Sequence, residues 1–297
     1  MTEGVFFTVL VVEGALAGAI YALVALAFVV VYKASRMINF ALGEWVMLAS
    51  RLVASGLHVL GLGLFGAIGF GCAGMAVLAV VFSRVILRRL VGQPLISLIM
   101  VSIGLGILMR GVVAIVFAGI PGPIPLPIPP APLAIHGVPI SADKLVAAAI
   151  AAGCIAALTW FFRGSRTGLA LRAIANDQQV ATTVGISLHR HFAITWALAG
   201  ALSVLAGTLW TAVSGGGFGI EVMGFKVFPI VIIGGVDSIP GTIVAAILVG
   251  VLESLAVGYL DPLFGGGFSN VASYLVLLAA LFVRPYGLFG RPDVERV

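Results

Sequence analysis

The sequence predicts an all-α polytopic integral membrane protein, and three observations lead to that fold class. Of the 297 residues, 61% are hydrophobic and only 9% are charged, whereas an ordinary soluble domain is about 45–50% apolar and about 25% charged. The mean hydropathy is +1.22. Uncharged runs of about 20 residues, the length that a helix needs to cross a bilayer, recur along the chain. A soluble globular enzyme is therefore excluded, and we expect one transmembrane domain over 1–297.

These runs predict about eight transmembrane helices, including one broken or re-entrant pair. Gly and Pro interrupt the apolar stretch 225–260 at Gly234-Gly235 and Pro240-Gly241, which favours two short limbs there. The predicted full spans are Gly14–Tyr32, Met37–Gly56, Leu57–Val81, Pro94–Ala118, Leu145–Phe162, His191–Val213 and Phe268–Val283, and the two limbs are Phe225–Gly235 and Gly241–Leu260.

The basic residues predict the orientation, because short cytoplasmic loops carry an excess of Lys and Arg. They fall on one side if the N-terminus is outside, the C-terminus is cytoplasmic and the broken region contributes an even number of crossings. This topology also explains the net charge of +5 without nucleic acid as a partner. The residues concerned are Lys33, Arg36, Arg84, Arg88, Arg89, Arg163, Arg166, Arg172, Arg190, Arg284, Arg291 and Arg296.

The outer loop 119–141 contains PGPIPLPIPPAP. This stretch is not expected to be helical, because proline lacks a backbone N–H and fixes φ. A semi-rigid polyproline-like ledge is predicted. Two interpretations stay open for it: a stiff linker between spans, or a surface touched by an extracytoplasmic partner.

The inner loop 163–190 predicts an amphipathic helix, or two short helices broken near Asn176-Asp177, with Gly185 at the C-terminal cap. One reading is a helix that lies in the headgroup region. However, its apolar side contains small residues and no aromatic ring, which favours docking into a groove of another protein. Leu169, Ala173, Ile174, Val180 and Val184 are expected to form the apolar face.

Four stretches, in order along nearly the whole chain, resemble the permease subunits of ABC importers for branched-chain amino acids, specifically the H-type of the two paralogous leucine/isoleucine/valine permeases. The chain departs from that pattern at Leu42, where the family usually has histidine, at Asp237, where a small residue is common, and at Tyr286, where glutamine is typical. The stretches are GALAGAIYALVALAFVVVYKASRMINFALGEWVML (14–48), SRTGLALRAIANDQQVATTVGIS (165–187), FPIVIIGGVDSIPGTIVAAILVGVLE (228–253) and VRPYGLFG (283–290).

The resemblance implies a permease subunit of an ATP-driven importer in the bacterial inner membrane, which forms the substrate path and hydrolyses nothing. It implies a second paralogous permease or a second copy, two cytoplasmic ATPase subunits that hold ATP and Mg²⁺, and a periplasmic substrate-binding protein; this chain itself would bind no cofactor. A cytoplasmic helix would dock into the ATPase subunit. By match to the family pattern, that role falls on Arg166, Gly168, Arg172, Ala173, Asn176, Asp177, Ala181 and Gly185. Gly168 and Gly185 would allow sharp turns at the ends, and Asp177 could equally serve only to cap a second helix.

Ionisable residues inside spans are functional candidates, because their transfer into lipid is costly. Glu13, Arg51 and Arg110 lie where they could reach the headgroups, whereas for Glu44 structural and functional readings are equally open and for Glu253 interhelical hydrogen bonding is favoured. Broken helices commonly lie along transport cavities. The predicted translocation path comprises Asn39, Glu44, Gly234, Gly235, Asp237, Pro240 and Gly241.

Small residues and missing motifs complete the predictions. Close approach of helix backbones is predicted at seven glycines, namely Gly14, Gly18, Gly66, Gly69, Gly74, Gly200 and Gly207. The sequence has no GxxxxGK[ST] loop, no hydrolase nucleophile motif and no metal-ligand spacing. Two alternative functions stay open: an ion-coupled secondary carrier that uses Glu44 or Glu253, and a related permease for urea, an amide or a sugar.

Overall fold

Helices follow one another along almost the whole described chain. The computed structural model describes residues 3–87, 89, 93–128, 133–135, 138–215, 220, 222–284 and 287–290; Arg88, Arg291, Arg296 and parts of the proline-rich loop (129–132 and 136–137) lie outside them. The helices are α1 (Glu3–Ser35), α2 (Leu42–His58), α3 (Leu64–Phe82), α4 (Leu95–Val116), α5 (Ala142–Gly164), α6 (Arg166–Asn176), α7 (Gln178–Thr183), α8 (Leu188–Ser214), α9 (Val222–Gly234), α10 (Ile239–Leu255), α11 (Asp261–Phe264) and α12 (Phe268–Val283), and π-helical turns extend α3 (Ser83–Leu87) and α10 (Ala256–Leu260).

The predicted all-α membrane fold is confirmed. Among the described residues, six helical segments are long and apolar enough to cross a bilayer, and the apolar helices α9 and α12 are shorter. The predicted broken pair corresponds to α9 and α10. The six long segments are Glu3–Ser35, Leu64–Leu87, Ile96–Val116, Ala142–Gly164, Leu188–Ser214 and Ile239–Phe264.

Three predicted helix starts are wrong. α1 begins at Glu3 rather than Gly14, since the apolar run before Gly14 continues the helix, and local turns explain the other two. α2 begins at Leu42 rather than Met37, because the Asn39 side chain accepts a hydrogen bond from the Ala41 N–H at 3.0 Å and holds a turn there. α3 begins at Leu64 rather than Leu57, since the chain after α2 passes through Gly61 at a φ of +64°.

The outer loop ends in a β-hairpin, which follows the proline-rich stretch 121–132. In the described part of that stretch, 121–128, there is no helix and no strand, and the polyproline-like ledge stays a prediction. β1 (Leu133–Ile135) pairs antiparallel with β2 (Val138–Ile140), with Leu133 opposite Ile140. Consecutive prolines occur only earlier in the loop, so the β-branched residues of this last part are free to pair.

The chain divides into two compact units. Unit 1 comprises Met1–Val29, Pro127–Ala152 and Phe225–Val297, and unit 2 comprises Val30–Leu126 and Gly153–Gly224. The chain therefore passes between the units four times.

The core of unit 1 depends on glycine contacts between α1 and α10. A Cβ atom at Gly14 would lie 2.7 Å from the carbonyl oxygen of Gly250, and one at Gly18 would lie 2.7 Å from that of Ala246. Any larger residue would force the two backbones apart. The close approach predicted from Gly14 and Gly18 is therefore confirmed.

The core of unit 2 lies among α2, α3 and α8. The ring of Trp196 packs against those of Phe82 and Trp45, with centroids 4.3 and 5.2 Å away. A Cβ at Gly207 would lie 2.8 Å from the Val46 carbonyl oxygen, and one at Gly200 would lie 3.1 Å from the Met75 Cβ. These contacts confirm the close packing predicted from both glycines. The same prediction is wrong at Gly66 and Gly69 of α3, since a Cβ at Gly69 would meet open space and one at Gly66 only the Leu62 side chain. A Cβ at Gly74 would lie 2.9 Å from the Leu52 side chain of α2.

Candidate coupling surface and intramembrane polar groups

The inner loop forms two short helices that meet at Asp177, as predicted. The Ser165 hydroxyl accepts a hydrogen bond from the Gly168 N–H at 2.8 Å and begins α6. The Asp177 carboxylate accepts from the N–H groups of Gln179 and Val180 at 2.8 and 3.0 Å and begins α7. Both ends use N-terminal caps, which satisfy donors that the helix leaves unpaired. Asp177 is thus a cap, and its exposed position leaves an interface role open.

The end of α7 also matches the prediction. Gly185 has a φ of +84°, its N–H donates to the Thr182 carbonyl at 3.0 Å, and the Ile186 N–H donates to the Ala181 carbonyl at 3.0 Å. This pair of bonds is the Schellman arrangement, in which a residue in the left-handed region closes the helix. Gly185 therefore fixes where the chain leaves α7.

The prediction of one apolar face on this loop is wrong. Ile174 is buried, together with Leu171 and Ala181. Leu169, Val180 and Val184 are instead 61%, 59% and 71% exposed. Leu169 and Ile174 both precede the break and are five residues apart on α6, which places them on different sides of that helix. The extended backbone at Asp177 then interrupts the helical periodicity before Val180 and Val184. We call Leu169, Val180 and Val184 the exposed apolar trio.

Some of the remaining predicted coupling residues are exposed on the α6–α7 pair, and others are buried and support its packing. Gly168 is buried in the first turn of α6, where a Cβ would lie 2.5 Å from the Phe161 carbonyl oxygen. A glycine is needed at this position because α6 packs closely against the end of α5. The sharp turn predicted at Gly168 is not found. Ala173 is half-buried and Ala181 buried, while Arg166, Arg172 and Asn176 are exposed.

Sequence reasoning missed two side chains that hold this loop. The Arg36 guanidinium donates from Nη2 to the Ala175 carbonyl at 3.0 Å, and the Gln178 amide donates to the Ala34 carbonyl at 3.2 Å. Arg36 had been considered only as part of the charge bias that orients the chain. A polar residue directly after a span can also pair with a neighbouring helix end, which the charge rule does not address.

Asn39 is buried, and only half of its amide is paired. Its oxygen accepts from the Ala41 N–H, while its Nδ2 has no hydrogen-bond partner among the described residues. A buried donor without a partner is costly. Asn39 therefore has an unused donor that a bound polar group could accept from.

Glu44 forms an ion pair with Arg110, whose side chain is still 48% exposed, so the predicted reach of Arg110 to the headgroups stays a prediction. The Arg110 Nη2 lies 2.6 Å from the Glu44 Oε1. Gly106, one turn before Arg110 on α4, leaves room for the acid: a Cβ there would lie 3.2 Å from the carboxylate. The opposite charge close by explains how α2 tolerates a buried carboxylate.

Gly234 and Gly241 bring α9 and α10 into backbone contact. A Cβ at Gly241 would lie only 2.0 Å from the Gly234 carbonyl oxygen. The turn between them passes through Gly235 at a φ of +98°, and Ser238 caps α10 through the Gly241 N–H at 3.1 Å. Within the same turn region, Asp237 is half-buried and Pro240, at the start of α10, is exposed.

The motif near the C-terminus packs on this turn. The Leu288 N–H donates to the Ile233 carbonyl at 2.7 Å, and a Cβ at Gly235 would lie 2.6 Å from the Gly290 nitrogen. The third and fourth stretches of the family resemblance therefore contact each other directly.

Glu253 takes part in interhelical hydrogen bonding, as predicted. Its carboxylate accepts from the Tyr21 hydroxyl at 3.0 Å and pairs with the ammonium group of Lys226. Lys226 was missed as an ionisable residue because it lies at the edge of an apolar limb. The lysine compensates the charge of the acid inside a span.

A proline interrupts α9 beside this cluster. Pro229 has no N–H to donate to the Phe225 carbonyl, four residues earlier. The Tyr274 hydroxyl of α12 donates to that carbonyl at 3.1 Å. The missing helix bond is thus replaced by a side chain from another helix.

Glu13 and Arg51 are held by protein groups. Glu13 pairs with Lys144 at 2.5 Å and accepts from the Ser141 N–H at 2.9 Å. Arg51 donates to the Ile120 carbonyl at 3.3 Å. Among the described residues, no three His, Cys, Asp or Glu side chains are grouped so that they could hold a metal ion.

Comparison with known proteins gives one family. The family model described as "Branched-chain amino acid transport system / permease component" matches residues 10–283. The high-affinity branched-chain amino acid transport system permease protein BraD of Pseudomonas aeruginosa is 29% identical over 301 residues, which cover 96% of each chain.

Matches to two other relatives are shorter. The permease protein LivH of Salmonella typhimurium is 37% identical over 146 residues, or 48% of this chain and 45% of LivH. A probable LivH of Methanocaldococcus jannaschii is 32% identical over 133 residues, or 42% of this chain and 41% of that protein. The chain thus spans less than half the length of these two relatives. Among solved structures, "PsaBC from Streptococcus pneumoniae in complex with Fab" aligns with a TM-score of 0.49 at 17% identity over 93% of this chain and 92% of that chain.

Proposed function

Because this chain belongs to the family of branched-chain amino acid transport permease components, we propose that it is the membrane-spanning permease subunit of an ATP-driven ABC importer for branched-chain amino acids. The match over residues 10–283 is the observation that carries this proposal. The chain would form the substrate path by alternating access and would hydrolyse nothing itself.

The α6–α7 pair is the proposed contact with a cytoplasmic ATPase subunit. Its exposed apolar trio supports this role, because three large apolar side chains on a capped, polar helix pair leave apolar surface that a partner could cover. Arg166, Arg172 and Asn176 are exposed on the same helix pair and can add polar registration. Two such ATPase subunits would hold ATP and Mg²⁺, and this chain would bind no cofactor.

The other partners follow from the same proposal. A second permease, either a paralogue or a second copy, would complete the transmembrane assembly, and a periplasmic binding protein would deliver the substrate. Bacterial inner membrane is the proposed location, with the N-terminus outside and the C-terminus in the cytoplasm. Two separate helices, α9 and α10, support the even number of crossings that this orientation needs.

The proposed translocation path includes Asn39 and Glu44, together with Gly234, Gly235, Asp237, Pro240 and Gly241. Asn39 gives the strongest support, because its buried amide has an unused donor. The contacts of Gly234 and Gly241 explain these glycines by packing alone. Their contribution to the path would therefore be to let α9 and α10 move as one pair.

The deciding experiment is uptake by the reconstituted complex. The chain, its second permease, the ATPase subunits and the binding protein are placed in proteoliposomes with labelled leucine. We expect uptake that needs ATP and the binding protein and that persists when a protonophore collapses the proton gradient. Accumulation by this chain alone, driven by a proton gradient and abolished by Glu44→Gln or Glu253→Gln, would establish the secondary carrier instead.

Competition tests the substrate class in the same liposomes. We expect isoleucine and valine to compete with leucine, and urea, acetamide and glucose to leave its uptake unchanged. Competition by urea, acetamide or glucose would assign the chain to another branch of the superfamily.

A further inference from the structure

The end of α1 and the end of α6 satisfy each other's carbonyl groups. Ala34 and Ala175 are each the last residue but one of their helix, so their carbonyls belong to the four that a helix leaves unpaired. Gln178 donates to the Ala34 carbonyl at 3.2 Å, and Arg36 donates to the Ala175 carbonyl at 3.0 Å. Arg36 lies one residue beyond the end of α1 and donates to α6, and Gln178 lies two residues beyond the end of α6 and donates to α1. The contact is therefore reciprocal.

The charge of Arg36 suits this position. The C-terminal end of a helix carries partial negative charge, so a cation is favourable there. The guanidinium also lies over the Tyr32 ring, with its central carbon 5.8 Å from the ring centroid. A second contact on α1 thus holds the side chain that reaches α6.

The backbone at Arg36 indicates that the side chain is needed. Arg36 has a φ of 54°, and among the described residues it is the only one other than glycine with positive φ. Its N–H donates to the Tyr32 carbonyl at 2.7 Å and closes α1. Glycine is the usual residue for this cap, and an arginine there adopts an unfavourable conformation. Such strain persists where surrounding contacts require the residue.

We propose that Arg36 and Gln178 form a two-way tie that transmits movement of the α6–α7 pair to α1. The inference rests on the proposed docking of an ATPase subunit on that pair and adds the residues that pass the movement into the membrane. α1 is a single helix of 33 residues, so a displacement at its last turn acts along its whole length. Arg36 and Gln178 are positioning residues: they touch the ends of helices and no substrate.

The test compares ATP hydrolysis with uptake in the reconstituted complex for Arg36→Ala, Arg36→Gly, Gln178→Ala and the double variant Arg36→Ala/Gln178→Ala. We expect leucine uptake to fall about fivefold while the ATPase rate stays within about twofold of wild type. Because the two hydrogen bonds act as one tie, their effects should not multiply. Leucine uptake by the double variant should be within about twofold of that by the more impaired single variant.

Arg36→Gly distinguishes loss of the tie from a loss of folding stability. Glycine removes the backbone strain, so this variant should unfold no more easily than wild type and should still lose coupling. Arg36→Lys, which can still donate to the Ala175 carbonyl, should recover at least about half of the uptake. Arg84→Ala, at an exposed arginine after α3, is the matched control and should leave the ratio of uptake to ATP hydrolysis unchanged.

Two results would overturn the tie. One is an unchanged ratio of uptake to ATP hydrolysis in Arg36→Gly and Gln178→Ala, including an equal fall of both rates. The other is loss of the ATPase subunit from the purified variants. Co-purification of the wild-type chain with its ATPase subunits is measured first. Its failure would count against the proposed function itself, independently of Arg36 and Gln178.

Discussion

Two regions of this molecule, α6–α7 and α9–α10, consist of a helix, a break and a second helix, yet the two breaks have different structural effects. Between α6 and α7 the break is the single residue Asp177, closed by its own side chain, and the helices leave large apolar side chains exposed. Between α9 and α10 the break is the turn 235–238, and glycine backbones touch. Both breaks carry a polar cap, and what distinguishes the second is the glycine pair that brings the backbones of α9 and α10 into contact. The predictions below test this difference by how much each change destabilises the protein.

The largest effect is expected at the glycine pair. Gly241→Ala would place a Cβ 2.0 Å from the Gly234 carbonyl oxygen, which forces α9 and α10 apart. We expect the free energy of unfolding to fall by about 3 kcal/mol, as measured by denaturant titration of the purified protein. Gly104→Ala on α4, where a Cβ meets open space, is the control. Equal stability of the two variants would contradict the packing role.

A smaller loss is expected where the α6–α7 pair rests on α5. Gly168→Ala would place a Cβ 2.5 Å from the Phe161 carbonyl oxygen, and α6 can partly move away because it lies at the surface. The expected loss in unfolding free energy is about 1–2 kcal/mol. In Gly164→Ala the nearest atom is 3.6 Å away, so this control should match wild type. A similar loss in both variants would show that contact with α5 is not the cause.

The cap at Asp177 is expected to be worth about 1 kcal/mol of local stability. Asp177→Ala should therefore speed amide hydrogen exchange in 178–184 about fivefold. Asp177→Asn keeps an oxygen acceptor for the Gln179 and Val180 N–H groups and should exchange as wild type does. If Asp177→Asn nevertheless lowers uptake, the charge itself contributes to the partner contact; faster exchange in both variants would contradict the capping role.

The smallest effect on stability is expected at the exposed apolar trio. Val184→Asp changes a side chain that is 71% exposed, so unfolding free energy should move by less than about 0.5 kcal/mol. Co-purification of the ATPase subunit should nevertheless fall. Val59→Asp alters another valine, 62% exposed and directly after α2, and should leave co-purification unchanged. Retention of the ATPase subunit by Val184→Asp would exclude the trio from the docking contact.

Helix existence and the coupling-loop caps could be read from the sequence. Phe268–Val283 has the predicted bounds, and Asp177 and Gly185 cap or close helices where the pattern indicated. These features are local, since hydropathy and capping depend on neighbouring residues.

Features that depend on distant partners could not be read in this way. The apolar face of the inner loop was misassigned, because Leu169 and Ile174 lie on different sides of α6 and the break at Asp177 interrupts the periodicity before Val180. The ion pair between Glu44 and Arg110 joins α2 to α4, and the pair between Glu253 and Lys226 joins α10 to α9. The spacing of these residues in the sequence does not specify which acid forms an ion pair with which base. The translocation path stays a prediction for the same reason.

The proline in α9 has a consequence for engineering. Since Tyr274 supplies the hydrogen-bond donor that Pro229 cannot, α9 and α12 have to be exchanged together when segments are swapped between related permeases. A chimera that keeps Pro229 but has phenylalanine at position 274 would leave the Phe225 carbonyl without this hydrogen bond in an apolar environment. Restoring the tyrosine should rescue its yield.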